Sequence, residues 1–367
     1  MRGSRGEKMS QHASPHRFLS LQVLRGVAAL AVVVFHLRGV EIKYLPGEAI
    51  LDGIGRYADA GVDLFFVLSG FVMTTLTAGR EGGIAAAGTF LARRAWRVLP
   101  PYWIFTTLVV VLMALVPTMV NSSYHDQSIL ASYLLIPHQQ LPVLTVGWTL
   151  VHEAYFYLMF AVAIAFVPAR ALTTFLLGWA ALIGAAHLFA PAATSPAHVL
   201  VINPLTFEFI AGALLGLHWR YLPRSLGWPL ALGGGALAVG AASLLPTEGP
   251  SIMPVWTRVM LFGTASALLV AGAVLIEARA RRAPPSSLIL LGDTSYALYL
   301  SHIFVISVAG RLWSMLLPTG AWWNHGLFVA ATLLACCVVG YLVHRVVERP
   351  LLLLPQRMAQ RGLSRPA

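Results

Sequence analysis

Ten apolar runs, each about as long as a bilayer core is thick, divide this 367-residue chain. A membrane-spanning helix needs about 20 mostly apolar residues. The runs fall at 18–37, 61–78, 99–120, 147–168, 171–190, 199–219, 227–246, 256–276, 287–309 and 324–346. In hydrocarbon every backbone N–H and C=O must find its partner within the chain, so runs of this length are expected to fold as helices. The predicted fold is an all-α integral membrane bundle of about ten transmembrane helices. Composition agrees: 11% of residues are charged and 58% hydrophobic, where a soluble domain carries roughly 25% charged residues.

Glycine, proline and charge collect between the runs, as in "PAATSPAH" and "ARARRAPPSS". No internal repeat and no soluble domain interrupts them. The chain divides into a basic segment over 1–17, a transmembrane domain over 18–350 and a basic tail over 351–367. The first run holds Arg25 and no small-x-small cleavage site follows it, so it is read as a retained span and not a signal peptide.

The distribution of Lys and Arg predicts orientation. With the N-terminus in the cytoplasm and ten crossings, nineteen basic residues fall on inner segments and five on outer ones: Arg38, Lys43, Arg56, Arg258 and Arg311. This bias predicts that both termini are cytoplasmic, in a multi-pass protein of the inner (plasma) membrane. The net charge of +11 is then loop lysine and arginine, and no nucleic-acid partner is expected. Cys336 and Cys337 are adjacent within an apolar run and imply no disulfide framework.

Polar residues inside the runs are costly, and they point to a site. Arg25 and His36 are eleven residues apart. On a helix that spacing places them within about 20° of one another and about 16 Å apart along the axis. Snorkelling accounts poorly for an arginine about two turns inside a span. His36, Glu153 and His302 are predicted to share the outer half of the bundle, where a carboxylate and two imidazoles suit acid–base chemistry. Asp63, Trp148 and His152 lie on the same outer side, with Glu208 deeper. At the inner face "FLARRAWRVLPPYW" places Arg94 and Arg97 one turn apart, on what is expected to be a short interfacial helix. Two guanidiniums on one face can fork onto phosphates.

Six segments in order carry a family resemblance. "LQVLRGVAALAVVVFH", with arginine, ten residues, then histidine, resembles the opening of the membrane-bound acyltransferase 3 family. "GVDLFFVLSGF", "RRAWRVLPPYW" with its Arg-x-x-Arg, "VGWTLVHEAYFYL", "GDTSYALYLSH" and "VERP" resemble the family's later motifs. The match runs from about residue 18 to 350 and looks most like the exopolysaccharide O-acetyltransferases.

The resemblance implies transfer of an acyl group, commonly acetyl, from acyl-CoA to a hydroxyl of a glycan or lipid-linked sugar. It implies His36 as the catalytic histidine, Arg25 as its first-span arginine, Arg94 and Arg97 as the donor-binding pair, and Glu153 as the fourth-span glutamate that orients the imidazole. Asp63, Trp148 and His302 are expected on the acceptor side. Acetyl-CoA or another acyl-CoA is expected as co-substrate, with no metal. A macrolide-like acceptor is the alternative, and a transporter is a further one.

Overall fold

The computed structural model describes residues 18–77, 79, 81–116, 127–189, 194–245, 253–317 and 320–355. The basic segment 1–17, Arg80 and the tail from 356 lie outside the described residues, as do Asn121 and Glu248 in two of the connections. The helices are α1 (Leu19–Tyr44), α2 (Gly61–Thr77), α3 (Ile84–Leu115), α4 (Ile129–Leu134), α5 (Trp148–Phe166), α6 (Leu172–Phe189), α7 (Pro196–Val201), α8 (Thr206–His218), α9 (Gly227–Leu244), α10 (Val255–Arg258), α11 (Thr264–Glu277), α12 (Ser286–Asp293), α13 (Ser295–Leu316) and α14 (Trp322–Val343). A π-helical turn, Val259–Gly263, joins α10 to α11, and a second, His344–Glu348, prolongs α14. No strand occurs among the described residues.

Ten segments are long and apolar enough to cross a membrane, one for each run read from the sequence. Two begin eight or more residues away from the start of the expected window. The third begins at Ile84, so the Arg-x-x-Arg segment is the first half of a continuous 32-residue helix and not a separate interfacial one. Pro100 and Pro101 each remove a backbone donor, yet the helix runs through them. Beside them Tyr102 is fully buried and donates its hydroxyl to Ser132 O (2.8 Å), which ties α3 to α4. The ninth span is Ser295–Leu316, because the helix breaks at Thr294. There the Thr294 hydroxyl donates to Leu291 O (3.0 Å), a local bond of the kind that competes with helix propagation.

Close backbone packing fixes the centre of the bundle. A Cβ on Gly70 of α2 would lie 2.0 Å from Phe209 O of α8, and one on Gly212 would lie 1.9 Å from Val67 O. Only glycine allows two helices this near. Phe156 of α5 stacks on Phe209 with ring centroids 4.5 Å apart, so α5 joins the same core.

Buried ionic contacts pin the ends. At the start of α1 no side chain of its own caps the helix. The Glu277 carboxylate at the end of α11 accepts from Leu19 N (2.9 Å) and Ser20 N (2.8 Å) instead. It satisfies two of the helix's orphan donors and opposes the positive end of its dipole. At the other end of α1, Glu41 is fully buried and accepts from His325 Nδ1 (2.8 Å), Ile50 N (2.9 Å) and Leu51 N (3.1 Å). Arg258 binds Asp63 through Nη2 (2.6 Å) and Nε (3.0 Å), and Asp59 through Nη1 (2.5 Å). Arg38 pairs with Asp52. At the end of the bundle with few cations, two of those arginines are thus neutralised by acids, which sharpens the charge difference between the two faces.

Candidate active site

A cavity of about 380 Å³ lies among α1, α2, α3, α5 and α13. Arg25, Arg94 and Arg97 all line it. None of the three has a hydrogen-bond or ion-pair partner among the described residues. Arg94 lies over two aromatic rings, 5.6 Å from the centre of Tyr157 and 5.7 Å from that of Phe90. Such contacts orient a guanidinium without using its N–H groups. Arg93, the neighbouring cation, is exposed and does not line the cavity. The helical register of α3 thus selects two arginines of the cluster for the interior. Three unpaired guanidiniums in one confined space repel one another, and the arrangement is suited to an anion that accepts several hydrogen bonds.

Glu153 is the acid of this cavity. Its Oε1 accepts from the Tyr157 hydroxyl, one turn along α5, and from Ser69 Oγ of α2 (3.2 Å). Residues four apart share a helix face, and this face of α5 looks into the arginine cavity. Arg25 is near enough to Arg97, Glu153 and Glu348 to feel all three charges. The expectation that Glu153 orients the His36 imidazole has no hydrogen bond behind it among the described residues: its bonds go to Tyr157 and Ser69, and its side of α5 faces the arginines.

His36 has a different partner. Its Nδ1 lies 2.9 Å from Val32 O and 3.3 Å from His302 Nε2, with the two ring centroids 5.0 Å apart. A carbonyl oxygen can only accept, so His36 Nδ1 carries the proton. The same reasoning applies to His302, whose Nδ1 lies 3.2 Å from Leu298 O. His302 Nε2 is then a lone-pair acceptor for His36 Nδ1–H, and His36 Nε2 is left unprotonated, with no hydrogen bond among the described residues. His36 is half-buried and His302 fully buried, so His302 meets its partner and not an open acceptor channel.

His302 of this pair packs against the wall of the arginine cavity, though neither histidine lines it. Tyr299, which lines the cavity, is 6.0 Å from His302 and 6.0 Å from Phe65, another lining residue, by ring centroids. Tyr299 is itself fixed by Thr149 Oγ1 (2.7 Å) and by donation to Val146 O (2.9 Å).

Two other expected acceptor residues are placed elsewhere. Asp63 is fully buried in its bidentate pair with Arg258, with Glu208 beside it, and does not line the cavity. An ion pair so enclosed leaves no carboxylate oxygen facing substrate. Trp148 lines a second cavity on the opposite side of α5. Tyr157 and Ser69 were not singled out in the sequence. Both nevertheless lie in quoted motif segments, Ser69 in "GVDLFFVLSGF" and Tyr157 in "VGWTLVHEAYFYL", where Tyr157 is also the residue one turn after Glu153.

Comparison with known proteins gives the family. Residues 18–342 match the acyltransferase domain of the acyltransferase 3 family. The chain belongs to that family. It is 32% identical over 309 residues to the exopolysaccharide production protein ExoZ of Rhizobium meliloti (strain 1021), covering 80% of this chain and 89% of that protein. It is 28% identical over 371 residues to the acyltransferase MdmB of Streptomyces mycarofaciens, covering 91% of each. No solved structure matches this acyltransferase. Acyl transfer by a multi-pass membrane protein follows from the family and from the ten spans.

Proposed function

We propose that this acyltransferase moves an acetyl group from cytoplasmic acetyl-CoA to a hydroxyl of a cell-surface or lipid-linked glycan, across the inner (plasma) membrane and with both termini in the cytoplasm. The observation that carries the reading is the convergence of Arg25, Arg94 and Arg97, none of them paired with an acid among the described residues, on one cavity whose wall residue Tyr299 packs against His302, the partner of His36. The likeness to an exopolysaccharide production protein supports the glycan as acceptor.

The residues fit a donor that carries phosphates and a thioester. Arg94 and Arg97, on the half of α3 that the charge bias assigns to the cytoplasmic side, fork onto phosphate oxygens. Arg25 meets negative charge farther along the path. His36 Nε2 accepts the proton of the acceptor hydroxyl as that oxygen bonds to the acyl carbon. His302 Nε2 holds His36 Nδ1–H in place, so that the attacking side of the ring keeps its lone pair. As the C–S bond breaks, His36 returns the proton to the departing sulfur, and the ester and free thiol balance the reaction. Glu153, held by Tyr157 and Ser69, sets the position of Arg25 by charge.

The test compares surface polysaccharide from strains with and without the gene by mass spectrometry. The expected result is loss of one acetyl ester from the repeat unit on deletion and its return on complementation with wild type but not with His36→Ala. An unchanged ester content would refute the glycan reading.

A further inference from the structure

The second cavity, about 370 Å³, has chemistry opposite to the first. It lies among α4 and the loop that follows, the first turns of α5, and α7. Its volume is within the roughly 300–1,000 Å³ of small-ligand sites. Among the described residues its lining carries no Asp, Glu, Lys or Arg, whereas the first cavity holds three arginines and Glu153. Both cavities share α5 as a wall. Thr149, Glu153 and Tyr157 face the arginines; Trp148, Val151 and His152 face the neutral side.

One buried side-chain atom of a residue lining this second cavity lacks a partner. His152 Nδ1 lies 3.0 Å from Trp148 O, so it carries the proton and donates. His152 Nε2 is then a lone-pair acceptor, and it is buried with no hydrogen bond among the described residues. A buried acceptor left unsatisfied is costly, and it calls for an O–H or N–H from a bound molecule. Around it, Asn203 Oδ1 accepts from Leu205 N (3.0 Å), which leaves its NH₂ free to donate. Gln139 and Gln140 are exposed on the rim, and Trp148 is half-buried against His152 with ring centroids 5.5 Å apart.

We infer that this neutral cavity is the acceptor subsite, binding a sugar unit of the glycan. Carbon-bound hydrogens on a sugar face match the indole of Trp148, and hydroxyls match an imidazole lone pair and amide groups of either polarity. No charge is needed for such a ligand. Binding here holds the unreacting part of the acceptor, which lets binding energy position the reacting hydroxyl. The inference rests on the glycan reading above.

The test uses the purified full chain in detergent, acetyl-CoA, and oligosaccharides cut from base-de-esterified surface polysaccharide of the producing strain. Three variants are compared: Trp148→Ala, His152→Leu, and the exposed pair Gln139→Ala/Gln140→Ala, which is not needed for folding. Each is expected to raise the oligosaccharide KM by about tenfold or more, the scale of a truncated aromatic or polar anchor, with acetyl-CoA KM unmoved. Calorimetric binding of the same oligosaccharides to His36→Ala, with and without these changes, is expected to weaken in parallel. An oligosaccharide KM that stays at the wild-type value in all three, or that rises together with the acetyl-CoA KM, overturns the subsite. Oligosaccharide binding that these variants abolish, in a protein that transfers no acetyl group, upholds the subsite and refutes the glycan reaction. Absence of both binding and transfer refutes both.

Discussion

Removing one of the three cavity arginines is expected to have effects of opposite sign on stability and on donor affinity. Taken as a sphere, the cavity of about 380 Å³ is roughly 9 Å across, and two unit charges that far apart repel by about 2 kcal/mol at an effective dielectric constant near 20. Solvent screening at half-buried guanidiniums brings this to about 1 kcal/mol. Arg97→Ala therefore relieves repulsion and raises the melting temperature of the ligand-free protein. It also deletes charge-assisted hydrogen bonds worth about 1.5–3 kcal/mol to a bound phosphate, so CoA affinity falls about ten- to hundredfold. Arg94→Ala loses its ring contacts as well, and its stability gain is smaller.

The assay is thermal melting and calorimetric CoA titration on the same detergent-solubilised preparations. Arg97→Lys serves as a control: it keeps the charge and loses the planar fork, so its melting temperature stays near wild type while part of the affinity is lost. Melting temperatures that fall in all the alanine variants, with CoA affinity unchanged, would refute the reasoning and make these arginines structural anchors.

Five other outcomes follow from the geometry and the charge bias. His36→Ala should lower acetyl transfer by about 10²–10⁴-fold with CoA affinity retained, and His302→Gln, which still offers an acceptor to His36 Nδ1–H, should keep more activity than His302→Leu in the same kinetic assay. Glu153→Gln should slow transfer while CoA binds as tightly or more tightly in calorimetry, since a negative charge beside Arg25 is removed. Asp63→Ala should destabilise the fold, by less than the roughly 3–5 kcal/mol of a stranded buried charge because Asp59 still pairs with Arg258, seen as lowered folded yield in size-exclusion profiles, with KM values of the surviving protein unmoved. Reporter fusions at Gly83, Arg224 and Arg281 should report the cytoplasm, and fusions near Asn121 and Glu248 the outside; a cytoplasmic signal at Asn121 would overturn the orientation.

The ten spans were legible because bilayer thickness fixes their length and the apolar runs have few competing readings. The extent of the third was not. Nothing between Arg97 and Pro100 distinguishes an interfacial helix from the start of a span, and it is the buried Tyr102–Ser132 contact that ties the helix down. Arg25, Arg94 and Arg97 could be grouped by spacing and by family motif, and they do meet on one cavity. Pairings across the chain could not be read. Arg258 is 195 residues from Asp63 and His302 is 266 from His36. Rotation about each helix axis was not readable from spacing, and it is rotation that turns Glu153 to the arginines and His302 to His36.

That rotation bears on the chemistry. In the serine-protease arrangement a carboxylate behind the histidine fixes the tautomer and stabilises the imidazolium. Here a second imidazole occupies the position behind His36. Two backbone carbonyls, Val32 O and Leu298 O, fix both Nδ1 protons, so orientation is achieved without a charge. The consequence is a site with two electrostatic regions. Positive charge is concentrated at the arginines proposed to hold the donor's phosphates, and the only acid lining that cavity among the described residues, Glu153, has two hydroxyl groups as its hydrogen-bond donors. On the proposed reaction, His36 beyond it gains charge only while a proton is in transit. A buried carboxylate beside His36 would add an ion to a fully desolvated position and would need a cation of its own to offset the penalty. With His302 instead, the positive charge formed on His36 in the transition state is spread through one N–H···N bond. It arises near the negative oxygen developing on the thioester, which it can stabilise in turn.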